Sequence, residues 1–203
     1  SDGGSGAARV TGAIDGYAGA TGTLNVNGTW STAGVIGATR AIAAINLDSD
    51  NNSASHTYTF EHNVNATTIT LGTNNAQSSN TTLAIVAGGT TKGVNIAITG
   101  NIVGGGNSSS TDNAAGGRFY VQGNVTISGD IGSSSALLAD IRIEDGANMT
   151  ILGADRNIYA NNITMMDIVH GANNATFHAT LAFNGTGTTT VNGVIAGETT
   201  EGE

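Results

Sequence analysis

The sequence has no cysteine and no proline in 203 residues, and only 10% of it is charged. Without cysteine there is no disulfide framework, no thiol catalysis and no cysteine-ligated metal. Ordinary soluble domains carry about 25% charged residues, so hydroxyls and amides must solvate most of this surface, a composition common among extracellular β-rich proteins. Cations are the scarcest group: Arg9, Arg40, Lys92, Arg118, Arg142 and Arg156 are scattered along a chain of net charge −9. No basic patch exists to neutralise a phosphate backbone or dock on anionic lipid, so nucleic acid is excluded as a partner. No apolar run approaches the ~20 residues of a membrane-spanning helix, so no membrane insertion is expected. The chain opens on Ser1-Asp2-Gly3-Gly4 rather than Met, which reads as a processed N-terminus or an excised piece.

What fills the chain instead is 31 glycines, many Thr, Ser and Asn, and 38% hydrophobic residues. That suffices for a lean core in a single β-rich domain, residues 1–203. Period-two alternation dominates, the pattern of half-buried strands. Its clearest run sets Phe119, Val121, Gly123, Val125, Ile127, Gly129 and Ile131 on one face against Tyr120, Gln122, Asn124, Thr126, Ser128 and Asp130. The best helix candidate, residues 38–47, also alternates through Ala41, Ala43, Ile45 and Leu47 and is read as strand.

A five-residue unit, Ile/Val-x-Gly-x-apolar, recurs at residues 10–14, 26–30, 98–102, 121–125, 127–131 and 191–195. Its Gly falls on the inward face, where a bend or a close backbone approach would demand it. The apolar pairs Ile45/Leu47, Ile69/Leu71, Ile96/Ile98, Phe119/Val121, Ile141/Ile143 and Ile163/Met165 follow one another at 22 to 27 residues. That is the length of one coil of a β-solenoid, whose turns stack inward residues on those of the turn below. The expected fold is therefore all-β, a parallel β-helix-like solenoid, and the lack of proline suits strands paired on both sides. An antiparallel β-sandwich or jelly roll is the alternative, since further apolar segments at Tyr58/Phe60, Leu83/Ile85, Met149/Ile151 and residues 177–183 halve the spacing.

The run from Ala179-Thr180-Leu181-Ala182-Phe183-Asn184-Gly185 through Val191-Asn192-Gly193-Val194-Ile195-Ala196-Gly197 resembles the passenger regions of bacterial surface autotransporters of the rickettsial outer-membrane antigen type. The resemblance implies a β-helix and a role as surface coat or adhesin. The chain departs from that family in its short length and in lacking an evident translocator barrel.

Asp48, Asp50 and Asn52 place oxygen ligands at alternating positions, as the opening of a calcium loop would. Ser53 and Thr59 stand where an EF-hand needs Gly and Glu, so a solvated Asx-rich turn competes with calcium, and no other cofactor is expected. Glu198, Glu201 and Glu203 form an acidic tail. Of the histidines, His56 and His62 lie too far apart on one extended segment to share a zinc ion, and His170 and His178 would meet only through folding. Asp140, Arg142 and Glu144 alternate outward, as in a polysaccharide-cleaving groove, with Tyr120, Gln122 and Asn124 expected one coil back and Asn162, Thr164 and Met166 one coil on. Neither flank adds a carboxylate, so no catalytic activity is expected. Asn-x-Ser/Thr triplets at Asn27, Asn51, Asn65, Asn80, Asn107, Asn124, Asn148, Asn162, Asn174 and Asn184 would accept glycans on a surface protein and are otherwise turn and strand residues.

These observations point to an extracellular or cell-surface structural protein whose partners are copies of itself, forming a filament, sheath or surface layer. The segments near either end, residues 10–14 and 191–195, carry no charged or proline-bearing cap. An adhesin whose loops contact a host surface or glycan is the first alternative, and a polysaccharide-active β-helix enzyme the second.

Overall fold

The computed structural model describes residues 8–47, 56–72, 81–85, 95–105, 116–169 and 178–201. They form fifteen strands: β1 (Ala8–Val10), β2 (Thr23–Val26), β3 (Trp30–Thr32), β4 (Ile42–Leu47), β5 (His56–Phe60), β6 (Val64–Leu71), β7 (Thr81–Ile85), β8 (Asn95–Gly104), β9 (Arg118–Val121), β10 (Asn124–Ile127), β11 (Leu138–Ile143), β12 (Asn148–Leu152), β13 (Asn157–Val169), β14 (Thr180–Asn184) and β15 (Thr190–Glu201). The odd-numbered strands build one eight-stranded sheet in chain order and the even-numbered strands a seven-stranded sheet, so each of seven coils gives one strand to each and β15 is left over in the first. Every pairing between these strands is parallel, which selects the β-solenoid over the antiparallel sandwich.

The inward residues of both sheets merge into one core that runs the length of the stack. Phe119, Val121, Gly123, Val125, Ile127, Gly129 and Ile131 are all buried, so the alternation survives the corner between β9 and β10. Phe119 stacks on Ile141 and Ile141 on Ile163, as their spacing predicts, and Ile45 stacks on Ile69. The six evenly spaced pairs nevertheless belong to two ladders. Ile69 pairs with Ile102 rather than Ile96, and Ile96 pairs with Val125 in the other sheet from Phe119. Loops of unequal length are the cause: Leu83 and Phe119 are neighbours although 36 residues separate them. In β4 the buried residues are Ile42, Ile45 and Leu47, while Ala41 and Ala43 are half-buried, because the backbone N–H groups of Ala43 and Ala44 both turn to the Gly22 carbonyl.

Of the glycines in the recurrent unit, Gly123 and Gly129 are buried as expected, Gly28 and Gly100 are half-buried and Gly12 and Gly193 exposed, so the inward placement holds for only some copies. Gly12 and Gly28 meet no atom where a Cβ would stand, whereas other corner glycines are there because of proximity. A Cβ on Gly34 would lie 2.0 Å from the Gly12 carbonyl oxygen, and one on Gly129 would lie 2.0 Å from that of Gly100. Gly100 and Gly193 instead form bulges inside the ladder. Gly100 alone opposes Ala66-Thr67, and Gly193 alone opposes Ala160-Asn161, at φ of 126° and 155° that side chains rarely adopt. Beside the corners, single parallel bridges link Ile14 to Ile36 to Val64, and Ile102 to Ile131 to Ile158, adding short rows of stacked aliphatic residues.

Candidate assembly surfaces

The two ends of the stack are where its pairing stops. β1 and β2 are edge strands at one end, β15 and β14 at the other. In the last coil Phe183 is in register with Ile151, and Ile195 with Ile163. Ile151 and Ile163 are 2% and 0% exposed, whereas Phe183 and Ile195 are 45% and 53% exposed. The same inward positions lose their cover because no strand among the described residues lies above them. Val194, on the outward side of β15, adds to this apolar end. At the opposite end Val10, Ile14 and Leu24 are half-buried, and a hollow of about 290 Å³ opens between Ile14, Leu24 and Ile42 with Asp15 and Tyr17 at its wall. The uncapped segments singled out in the sequence fall on these two ends. The cation near the first, Arg9, makes a bidentate ion pair with Glu61, tying β1 to the residue after β5.

A second feature repeats from coil to coil, and the sequence pattern did not reveal it. Asn and Asp side chains accept backbone N–H groups from the following coil. The Ala97 N–H donates to Asn63 Oδ1, the Asp130 N–H to Asn101 Oδ1, and the Asn157 N–H to Asp130 Oδ1, each at 2.9 Å. Asp155, at a φ of 54°, accepts the Thr188 N–H at 3.0 Å. Asp15 accepts the N–H groups of Arg40 and Thr39 at 2.9 to 3.2 Å. These donors, Arg40 first, hold its carboxyl below the usual carboxylate range. All five acceptors serve the coil on their C-terminal side, so the side-chain bonding has a direction along the stack. The available signal was the Asx that follows Gly in Gly100-Asn101-Ile102 and Gly129-Asp130-Ile131. Paired amides on the outward face add to it: Asn46 donates to Asn25 Oδ1 at 2.8 Å, and Asn148 to Asn124 Oδ1 at 2.7 Å.

On the eight-stranded sheet Asp140, Arg142 and Glu144 project outward beside one another. The coil before them differs from the expected Tyr120, Gln122 and Asn124: Asp140 lies opposite Arg118, and Arg142 opposite Tyr120. The coil after them places Asn162 and Thr164 as expected. Arg142 Nε is 3.1 Å from Glu144 Oε1, and its guanidinium carbon is 5.9 Å from the centre of the Tyr120 ring. Thr164 Oγ1 donates to Asp140 Oδ1 at 3.5 Å. This is a compensated surface network in which each charge has a neighbour of opposite sign or a ring face.

Asp48, Asp50 and Asn52 lie outside the described residues, as do Asn51, Asn80, Asn107, Asn174 and His170. Among the described residues no three His, Asp or Glu side chains are grouped as metal ligands. His56 packs edge-on against Tyr58 at 6.4 Å, and His62 and His178 are exposed. Of the glycosylation triplets, Asn27, Asn162 and Asn184 are exposed, and Asn65, Asn124 and Asn148 half-buried. Glu198 and Glu201 continue β15 in register with Met166 and Val169. No family model, curated protein or solved structure matches the chain.

Proposed function

We propose that the protein is an extracellular structural β-solenoid that polymerises with copies of itself into a filament, sheath or surface layer. The observation that carries this reading is the pair of open ends: inward residues Phe183 and Ile195 remain about half exposed at one, and at the other no strand among the described residues pairs with the outer side of β1 or β2. Soluble proteins blunt such edges with charge, proline or a covering element. β1 carries only Arg9, taken up by Glu61, and the charges of β15, Glu198 and Glu201, lie beyond its apolar stretch 191–195, which is left as a template for another chain. Two different surfaces meeting head to tail build a ring where the rotation between copies closes and an open fibre where it does not, and surfaces at opposite ends of a straight stack favour the fibre. The resemblance to autotransporter passengers supports the same location, the cell exterior.

Sedimentation velocity over a range of protein concentration, with negative-stain electron microscopy of the same samples, tests the reading. Mass is expected to grow with concentration and fibres or sheets to be visible. A monomer at every concentration and ionic strength would sink it and leave the adhesin as the better account.

A further inference from the structure

We infer that copies join head to tail by strand exchange: β15 of one copy takes the place of β1 in the next and pairs in parallel with β3 of that copy. This rests on the self-assembly reading and names its interface.

Followed through the registers, the inward residues stack in three columns. One runs from Ile14 to Phe183 and has seven rungs. A second runs from Leu24 to Val191 and also has seven. The third, in the eight-stranded sheet, runs from Ala8 to Ile195 and has eight. A second copy stacked on the first with Ile14 over Phe183 and Leu24 over Val191 brings its β1 to the level that β15 already fills. Release of β1 removes the clash. With Ile195 in the place of Ala8, every column advances seven rungs per copy, so a single displacement continues all three.

β1 is built to be displaced. It is three residues long, with Ala8 and Arg9 exposed and Val10 half-buried. Ala8 is the smallest residue of its column, and it lies over Trp30. The ion pair that ties Arg9 to Glu61 is open to water on the arginine side, and such pairs contribute little. β15 is twelve residues long and keeps its pairing with β13 through the exchange. Its Ile195, 53% exposed within one copy, covers Trp30 of the next. Ile14 and Leu24 of that copy close over Phe183 and Val191 in the same step. Apolar side chains at both ends thus leave water together, while the main chain of β15 gains a second ladder. Bulk is lost at Gly197, which stands where Val10 stood over Thr32.

Two measurements on the full chain, which has no cysteine of its own, test the exchange. Arg9 and Ser31 are in register on β1 and β3, so the double variant Arg9→Cys, Ser31→Cys can lock β1 in place by a disulfide. Adjacent strands lie about 4.8 Å apart, within the Cα separation that a disulfide spans. The oxidised variant is expected to stay monomeric at concentrations where the parent forms filaments, and reduction is expected to restore them. Filaments from the oxidised variant at the parent's concentration would overturn the exchange while leaving self-assembly standing. So would a reduced variant that fails to assemble where the parent succeeds, since a loosened β1 should help. No assembly by the parent would remove both readings. The second measurement fixes the register, because Ala196 takes the place of Arg9, opposite Ser31 of the next copy. Ser31→Cys and Ala196→Cys proteins are purified separately, mixed as dilute monomers, assembled and oxidised. Disulfides are expected between unlike variants. Filaments with cross-links between like variants only, or with none, would overturn the joint.

Discussion

Asp130 accepts the backbone N–H of Asn157, 2.9 Å away in the next coil, while its own N–H donates to Asn101 in the coil before. One residue therefore joins three successive turns. Asp130→Ala strips the Asn157 N–H of its acceptor at a half-buried position, and is expected to lower stability by roughly 1–2 kcal/mol. Asp130→Asn keeps an oxygen in place and should stay within about 0.5 kcal/mol of the parent. Urea denaturation of the three proteins, read as a change of midpoint at constant slope, checks both values.

Coil-on-coil contact at the corners leaves no room for a methyl group. Gly129→Ala would push a carbon to 2.0 Å from the Gly100 carbonyl oxygen, and Gly129 is held between the end of β10 and the bridge at Ile131. The expected loss is about 1–3 kcal/mol. Gly12→Ala meets no atom within 4 Å and should shift the monomer's stability by less than ~0.5 kcal/mol. Equal losses for the two substitutions, measured in dilute protein, would contradict the packing account.

Acid should release one of the corner bonds. The backbone N–H groups of Arg40 and Thr39 hold the Asp15 carboxyl below its usual range. A depressed folded pKa means that its contribution is present above the unfolded value, near ~3.9, and is lost as pH falls through the folded one. Asp15→Asn lacks the ionised carboxylate at every pH. The thermal midpoints of parent and variant should therefore differ at pH 7 and converge as the pH falls through the depressed folded pKa of Asp15. A constant difference across that window would assign Asp15 no titrating role.

Arg142 lies half-exposed between Glu144 and the Tyr120 ring. Surface pairs of this kind contribute little, so Arg142→Ala is expected to cost under about 1 kcal/mol. The difference should shrink further in 1 M salt, where charges are screened within about 3 Å. Thermal melts at two ionic strengths suffice, and a loss of several kcal/mol that salt leaves unchanged would show that the side chain acts by packing.

Much of this fold was legible because burial and period coincide. Between Phe119 and Ile131 every second residue is buried, so alternation alone identified inward from outward through a corner and two strands. The stacking of Phe119, Ile141 and Ile163 was readable because the intervening loops happen to be equal. Where loops differ, spacing misled. Ile69 and Ile96 look like successive rungs, yet Ile102 is the rung above Ile69. Side-chain pattern carries no record of which of two sheets a strand joins. Ala43 was misplaced for a related reason, since a carbonyl shared by two N–H groups breaks the alternation without changing composition. The Asx bonds between coils were hidden because their donors are main-chain groups, identical in every residue. At the ends, the missing caps were visible as sequence, but the half-exposed Phe183 and Ile195 required the register.

The parallel stacking also sets how the molecule would bear force. Hydrogen bonds between neighbouring strands run along the stack, across the strand direction. Tension along that axis pulls each bond lengthwise and loads all the rungs of one coil boundary together, whereas tension along a strand would shear them. The bond from Asp130 to Asn157 and the ion pair from Arg9 to Glu61, which spans two boundaries, lie across the planes that axial tension would open. Stiffness along the axis is thus set boundary by boundary, and the weakest boundary governs rupture.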